Sequence, residues 1–211
     1  MKNLVIMGDY VENISFSDAF KYPFKKPKRL LYGLWLLIPI LGWFIIFGYS
    51  VRLVNEFIEG RYEGPIKLNP MEDLKLGFVI FLKSIPFYIL YIAIIVAVDS
   101  VNETLGYLVS FLLGFFVVQI LMVNFFRKQT IGSFFEFQLL DIVRDNLGDY
   151  IIAMLKQYAL TIVFLILSII LVGIPAMLFT SSIFIANLYG RLVEQRHNLA
   201  LKTRSDDPVT V

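Results

Sequence analysis

Positions 158–189 contain no charged residue. A single transmembrane helix needs only about 20 apolar residues, so this run is long enough for more than one. Gly173 and Pro175 lie near its middle, where glycine permits the backbone angles of a tight turn and proline interrupts a helix. The run predicts two antiparallel membrane helices, 150–172 and 175–195, and makes the chain an integral membrane protein.

The composition leads to the same conclusion. Of 211 residues, 58% are hydrophobic and 17% are charged, against about 45–50% and 25% in soluble domains. This length has room for one membrane domain, which we place at 1–195, followed by a polar tail at 196–211. The expected fold class is an all-α polytopic transmembrane helical bundle, with proline-broken hairpins and amphipathic interfacial helices.

The residue types that many catalytic and metal sites require are scarce. The chain has no cysteine and one histidine, His197. Disulfides and thiolate ligands are therefore excluded, and a histidine-based zinc site lacks ligands. No nucleophile motif, phosphate-binding loop, dinucleotide fingerprint or pair of catalytic carboxylates is recognisable. We expect no enzyme activity, no catalytic residue, no cofactor and no metal.

The apolar segment 30–54 has two interpretations. Its length fits a single span, but Lys and Arg lie on both sides of it, and such residues are enriched on cytoplasmic flanks. Because Pro39 lies at its apolar centre, the segment can instead enter the membrane, turn and return. We favour this re-entrant hairpin and keep the single span as the alternative. The cations before it are Lys21, Lys25, Lys26, Lys28 and Arg29, and those at its end and beyond are Arg52, Arg61, Lys67 and Lys75.

Aromatic and basic residues precede that segment. Ser15 and Asp18 have the spacing of a capping box, which predicts a short interfacial helix at 15–24. Aromatic residues beside a basic cluster are typical of a segment in the headgroup region that is drawn to anionic lipids. A nucleic-acid patch is the rival interpretation. Because the cluster adjoins a membrane segment, we expect the lipid bilayer as its partner and no nucleic acid.

Two further spans follow. Asn69 at the N-cap and Pro70 at the first helical position predict a helix start, with a membrane span at 76–98 and a kink at Pro86. A second span is expected at 105–126, antiparallel to the first because the connection between them is short.

An amphipathic helix is predicted at 133–147, with apolar residues on one face and charged residues on the other. Ser133 and Glu136 repeat the capping-box spacing. Gly148 is the expected C-terminal stop.

Small residues at intervals of four predict close helix packing, within the chain or against a partner or second copy. A pore-lining or ligand-lining face is the alternative for these ladders, which are Gly106, Ser110 and Gly114, and Ser182, Ala186 and Gly190. Lys83 lies inside a predicted span, where a charge is a functional candidate by default. Since a lysine side chain can also snorkel to the interface, we expect snorkelling.

Three short anchors recur in the same order along the chain. A Ser-Phe-x-acid pattern, an Ile-Pro pair and an Arg-Leu-Val segment followed by a Glu each occur twice, and a Tyr lies shortly before the Arg in both copies. Transporters are often built from such repeats, whereas a shared vocabulary of membrane helices is the alternative. The anchors are Ser15 and Ser133, Pro39 and Pro175, Tyr49 and Tyr189, and Arg52 and Arg191.

The order of features resembles a domain-of-unknown-function family of small polytopic membrane proteins that is common in methanogenic archaea. The matching residues are Phe16-x-Asp18-Ala19-Phe20-x-Tyr22-Pro23, Ile38-Pro39, Gly48-Tyr49 followed by Arg52, and Pro65. The architecture is more loosely similar to the membrane domains attached to some glycerophosphodiesterases. The matching motifs are structural, so the resemblance implies an archaeal plasma membrane and indicates no particular activity.

We therefore expect a non-catalytic membrane module for packing, assembly or regulation. The alternative is a small-solute transporter or channel-like protein, which requires a polar cavity between 30–51 and 175–190; a dry interface there would remove its support. The loop at 98–103 has two acidic residues and no Lys or Arg. This distribution predicts a multi-pass plasma-membrane protein with both termini in the cytoplasm.

Overall fold

The computed structural model describes residues 11–193, and all regular elements in that range are helical. The α-helices are α1 Phe16–Lys21, α2 Leu41–Ile58, α3 Pro70–Asp99, α4 Glu103–Leu113, α5 Gln119–Lys128, α6 Leu139–Asp145, α7 Leu147–Leu167, α8 Gly173–Phe179 and α9 183–193. Tighter 3₁₀ helices occupy Tyr22–Lys25, Pro27–Leu37, Ile131–Phe135 and Ser168–Ile170, and a π-helical stretch, Gly114–Val118, joins α4 to α5.

Five helical stretches are long and apolar enough to cross a membrane. They are Leu41–Ile58, Pro70–Asp99, Glu103–Lys128, Leu147–Ile170 and Gly173–Val193. The chain is thus an all-α bundle, as its sequence predicted, and the five stretches indicate a multi-pass membrane protein. The last of them covers the predicted span 175–195 as far as residue 193. The predicted tail at 196–211 lies outside the described residues.

The segment between the basic flanks forms a hairpin in the structure. The 3₁₀ helix before Pro39 and α2 after it run in opposite directions. Lys25 Nζ donates to the carbonyl of Tyr62 at 2.7 Å, and Arg29 donates to that of Pro65. The two ends of the segment therefore meet, whereas a single span would hold them at opposite ends of the molecule.

The backbones of α2 and α3 touch where the two helices cross. A Cβ atom on Gly48 would collide with the carbonyl oxygen of Asp73, and one on Gly77 would collide with that of Phe44. Only glycine allows two helix backbones to approach this closely. The crossing fixes the returning arm of the hairpin against the first half of α3.

The hairpin ends beside the middle of α3. Ile40, at its tip, lines a groove together with Ser84 and Tyr88. The second half of α3 continues past the tip and packs on α4, where the hydroxyls of Tyr91 and Ser110 lie 3.2 Å apart. At 1.5 Å per residue, roughly 16 Å of α3 extends beyond the hairpin.

The core lies where the two returning helices meet. The apolar stretches of α2 and of α8–α9 are 56% and 67% buried, against 17–33% for the other three. The rings of Tyr49 and Phe179 lie 5.2 Å apart across this interface. The other three stretches surround the core and expose apolar side chains, as lipid-facing helices do.

The N-termini of α1 and α3 differ in their capping chemistry. Ser15 Oγ accepts the N–H of Asp18 at the start of α1, as a capping box requires. Asn69 precedes α3 as predicted, but its side chain forms no cap. Its own N–H donates instead to the carboxylate of Asp73 at 2.7 Å. The interfacial helix expected at 15–24 tightens to a 3₁₀ turn from Tyr22 onward, where proline follows.

The predicted extent of the amphipathic helix, 133–147, is wrong. Only α6 and the preceding 3₁₀ turn occupy this range, and Gly148 lies in the first turn of α7 instead of stopping a helix. Ser133 caps no helix, because its hydroxyl donates to the carbonyl of Thr130 at 2.5 Å. The carboxylate of Glu136 is engaged in an ion pair instead.

Candidate functional site

Hydrogen bonds between distant parts of the chain gather at one end of the bundle. They connect the segment around α1, the loop after α2, the end of α5 and α9. We call this region, residues 11–29, 52–75, 124–136 and 187–191, the polar end. The polar groups that the sequence singled out lie mainly here.

A buried ion pair joins α2 to α3 at the polar end. Arg52 Nε and Nη2 donate to the two carboxylate oxygens of Asp73 at 2.6 and 2.8 Å. The Asp73 side chain is fully buried, and that of Arg52 is 31% exposed. Arg52 also donates to the carbonyl of Lys67 at 3.0 Å, and the hydroxyl of Tyr49, one turn earlier, donates to Ile66 at 2.9 Å. These bonds fix the loop after α2 as well as the two helices.

A second network links α5 to α9. The Tyr189 hydroxyl donates to Asn124 Oδ1 at 2.7 Å. Asn124 Nδ2 donates in turn to the carbonyl of Ser133 at 2.8 Å and to the carboxylate of Glu136 at 3.2 Å. Lys128 Nζ lies 2.5 Å from the same carboxylate. This hydrogen bond from Lys128 outweighs the effect of burial and lowers the pKa of Glu136 below its ordinary value.

Asn187 on α9 holds the start of the described chain. Its Nδ2 donates to the carbonyl of Glu12 and to the hydroxyl of Tyr62, both at 2.7 Å, and its Oδ1 accepts the N–H of Ile14 at 3.4 Å. Burial raises the pKa of Tyr62 to about 12. The Tyr62 hydroxyl therefore stays protonated and donates to the carbonyl of Phe57 at 2.9 Å.

An ion-pair cluster lies at the edge of the polar end. Arg127 contacts Glu59 at 2.5 Å, and Arg61 contacts both Glu59 and Glu56. Burial disfavours the charged carboxylate of Glu59, but the hydrogen bond from Arg127 and the charges of both arginines outweigh it. The pKa of Glu59 therefore lies below its ordinary value.

Lys83 binds a helix end. Its ammonium donates to the carbonyl of Gln129 at 2.8 Å. Gln129 follows α5 in the left-handed conformation, with φ 54°. The C-terminus of a helix carries partial negative charge, so this contact stabilises the lysine inside the molecule. Because Gln129 belongs to the polar end, the Lys83 side chain extends toward the same end of the bundle as the predicted snorkelling requires, and it caps a helix there.

The first small-residue ladder packs over only part of its length. A Cβ on Gly106 would collide with the carboxylate of Asp99, and Ser110 is bonded to Tyr91. No described atom lies within 4 Å of a Cβ placed on Gly114. The ladder thus joins α4 to the end of α3, and its third position is open.

The second ladder lies inside the bundle. Ser182 is half-buried before α9, and Ala186 is fully buried. A Cβ on Gly190 would collide with the carbonyl oxygen of Ile58, the last residue of α2. This ladder therefore packs the two returning helices of the chain against each other.

The recurring anchors occupy unlike positions. Pro39 lies in an exposed turn, whereas Pro175 is buried in the first turn of α8. Arg52 pairs with a buried carboxylate, whereas Arg191 Nε is buried with no hydrogen-bond partner among residues 11–193. Ser15 caps a helix and Ser133 does not. The anchors give an internal duplication no structural support.

The interface between the two hairpins is apolar. A Cβ on Gly33 would lie 2.8 Å from the ring of Pro175, and the adjoining groove has a volume of about 350 Å³. Its lining is Leu30, Leu31, Gly33, Leu34, Leu36, Leu37, Leu171, Val172, Ile174 and Pro175. The polar cavity that a transporter requires is not found here within the described part of the chain.

Two further grooves flank Phe44 on the outside of α2 and α3. They have volumes of about 630 and 480 Å³, and their walls are mainly aromatic and aliphatic. Ser84 lines the first and Lys75 the second. Within residues 11–193, no group of three His, Asp or Glu side chains could hold a metal ion.

Sequence reasoning found several anchors but missed their partners. Asp73 lies in the first turn of a helix, a position that the helix dipole also explains, so its ion pair left no separate signal. Gly48 and Gly77 were missed as well, although a glycine within each of two apolar runs is a sign of close helix approach.

No protein-family model, no curated protein and no solved structure matches this chain. The resemblance to the methanogen membrane family therefore stays a prediction.

Proposed function

We propose that this chain is a non-catalytic membrane module that acts by apolar packing against a protein partner, or a second copy of itself, in assembly or regulation. One observation carries the proposal: its polar side chains bind one another, while its grooves are apolar. Arg52, Asn124, Asn187 and Tyr189 all have partners within the chain. The groups that the grooves offer to a ligand are therefore mainly hydrophobic.

The outer groove between α2 and α3 offers the larger apolar surface. Its volume of about 630 Å³ is bounded by Trp43, Phe44, Phe47, Phe81 and Tyr88 among others. Aromatic residues dominate protein interfaces because they bury large areas at low entropic cost. The small-residue ladders, by contrast, are used largely within the chain, so this aromatic groove is the better candidate for a partner surface.

We place the protein in the plasma membrane, archaeal by its resemblance, with the polar end and both termini in the cytoplasm. Segments 30–51, 84–126 and 157–190 contain no Lys or Arg, so the cations of the described chain are concentrated toward the polar end. The positive-inside tendency supports this orientation.

The test is the composition of the protein extracted from native membranes in polymer discs that retain lipid, measured by native mass spectrometry. A stable complex with itself or one defined partner supports the proposal. Tyr88→Ala, in the aromatic groove, should reduce that complex at least fivefold. Tyr107→Ala, an exposed tyrosine on α4, should leave it unchanged. A strictly monomeric protein with no reproducible partner would overturn the proposal.

A further inference from the structure

The 3₁₀ helix Pro27–Leu37 is eleven residues long, whereas such helices seldom exceed three or four residues. With three residues per turn, positions separated by three lie on one face. The helix therefore presents three rows of side chains. One row packs on the bundle: Arg29 donates to Pro65, and the ring of Tyr32 lies 5.8 Å from that of Tyr49.

The second row faces the other hairpin. It contains Leu30, Gly33 and Leu36, which line the groove shared with Pro175. Contact between Gly33 and Pro175 closes the floor of this groove.

The third row faces outward. Leu31, Leu34 and Leu37 are 63%, 58% and 77% exposed, and Lys28, also exposed, begins the row. At 2.0 Å per residue the row is about 18 Å long, close to the half-thickness of a hydrocarbon core of about 30 Å. The row is thus an apolar strip with a cation at one end. Its length is close to the thickness of the hydrocarbon region of one lipid leaflet.

The groove beside this strip is small and apolar. Its volume of about 350 Å³ lies at the lower end of the roughly 300–1,000 Å³ of ligand pockets, and every residue that lines it is apolar. The groove therefore suits a hydrocarbon chain better than a polar ligand, and we call it the slot.

The positive charge at its mouth is uncompensated. Lys28 makes no hydrogen bond or ion pair with any residue in the range 11–193. Lys25 and Arg29 donate to neutral backbone carbonyls, which leaves their charges free to attract an anion. Basic clusters at a membrane surface attract anionic headgroups.

We propose that this slot binds one acyl chain of an anionic membrane lipid, with the lipid headgroup at Lys28. The lipid site goes beyond the proposed packing function and does not depend on it, because a chain with no protein partner would retain it.

The two tryptophans of the chain make the site measurable. Trp43→Phe leaves Trp35, in the 3₁₀ helix, as the only tryptophan, which is excited selectively near the red edge of the absorption band. The protein is reconstituted in phosphatidylcholine vesicles with rising fractions of brominated phosphatidylglycerol or brominated phosphatidylcholine, and quenching of Trp35 is recorded. The anionic lipid should reach half-maximal quenching at a fraction about fivefold lower, the effect of one lysine near an anionic surface.

Single substitutions distinguish a headgroup contact at Lys28 from a general attraction of anionic lipid to the positive charges of the protein. Lys28→Gln should bring the two lipids to within twofold of each other, whereas Lys67→Gln, an exposed lysine of the loop after α2, should keep the preference. Leu34→Ser, in the exposed row, should weaken quenching by both lipids.

Two results would overturn the proposal: equal quenching by the two lipids in the Trp43→Phe protein, or an unchanged preference when Lys28→Gln is added to it. Neither outcome depends on whether a protein partner is found.

Discussion

The two hairpins of this chain have similar returning helices and different entering arms. In both, the returning helix is buried in the core, α2 in the first and α8–α9 in the second. The entering arm of the second is α7, a regular helix of 21 residues. That of the first is an eleven-residue 3₁₀ helix with an exposed face. Burial in the core thus constrains the returning arms, whereas the entering arms are free to differ.

The 3₁₀ conformation lengthens the entering arm of the first hairpin, which has fewer residues than that of the second. Eleven residues cover about 22 Å in a 3₁₀ helix and about 16 Å in an α-helix. The turns of the two hairpins lie side by side, since Leu37 and Leu171 line the same groove. The 3₁₀ form therefore brings the tip of the first hairpin level with that of the second without extra residues.

The largest expected effect concerns the topology of the first hairpin. Glu63→Cys and Asn102→Cys each introduce the sole cysteine of the protein, because the chain has none, and both positions are exposed. An impermeant maleimide added to whole cells should label position 102 and leave 63 unlabelled, because the proposed orientation puts the turn at 102 outside and the polar end, with 63, in the cytoplasm. Both should react after permeabilisation. Labelling of 63 in intact cells would break the hairpin interpretation.

The two arginine anchors should differ in their effect on stability. Arg52→Met leaves the carboxylate of Asp73 buried without its cation, and breaking a buried pair in this way costs about 3–5 kcal/mol. Because Arg52 is 31% exposed, we expect the lower end of that range. Arg191→Met should cost about 1 kcal/mol or less, since its Nε has no partner in residues 11–193.

The measurement for this pair is thermal or denaturant unfolding in a mild detergent. The double variant with Asp73→Asn should recover part of the loss, because the buried charge is then removed. Equal losses for Arg52→Met and Arg191→Met would mean that the two anchors are equivalent after all, and would revive the internal repeat.

The all-α fold class was predictable from the sequence, because long apolar runs limit what the chain can form. The partners within the bundle were not. Asp73 pairs with Arg52 only because Gly48 and Gly77 bring their helices together. The sequence contains one sign of the 3₁₀ arm, a period of three that aligns Lys28 with three leucines. Because the residues between them are also apolar, this period does not stand out.

Close helix contacts should be sensitive to a single methyl group in both hairpins. Gly48→Ala places a methyl against the carbonyl of Asp73, and Gly190→Ala places one against that of Ile58. Overpacking of this kind costs about 1–3 kcal/mol. Gly114→Ala is the matched control, because its added methyl meets no described atom within 4 Å; it should gain about 0.5–1 kcal/mol from helix propensity. A loss at Gly48 but none at Gly190 would show that the contact between hairpins is the looser of the two.

The smallest expected effect lies at the two hairpin tips, which share a strained backbone. Ile40 has φ 63° with ψ −68°, the strained geometry of a γ-turn centre, and Leu171 has φ 62° in the left-handed region; a positive φ of either kind costs a residue with a Cβ about 1–2 kcal/mol. Both side chains are exposed, at 63% and 74%, so replacing them with glycine removes strain and little burial. The larger conformational freedom of glycine in the unfolded chain offsets about 0.4–1 kcal/mol of the gain.

We therefore expect Ile40→Gly to raise the unfolding free energy by about 0.5–1 kcal/mol, and Leu171→Gly to raise it by less, because the β-branched isoleucine tolerates a positive φ more poorly than leucine does. Leu37→Gly is the control: it is equally exposed but lies in the 3₁₀ helix, where glycine should cost about 1 kcal/mol. Unfolding in the same detergent measures all three. If Ile40→Gly destabilises the protein as much as Leu37→Gly, the first tip carries no strain, and the two hairpins differ at their turns as well as in their entering arms.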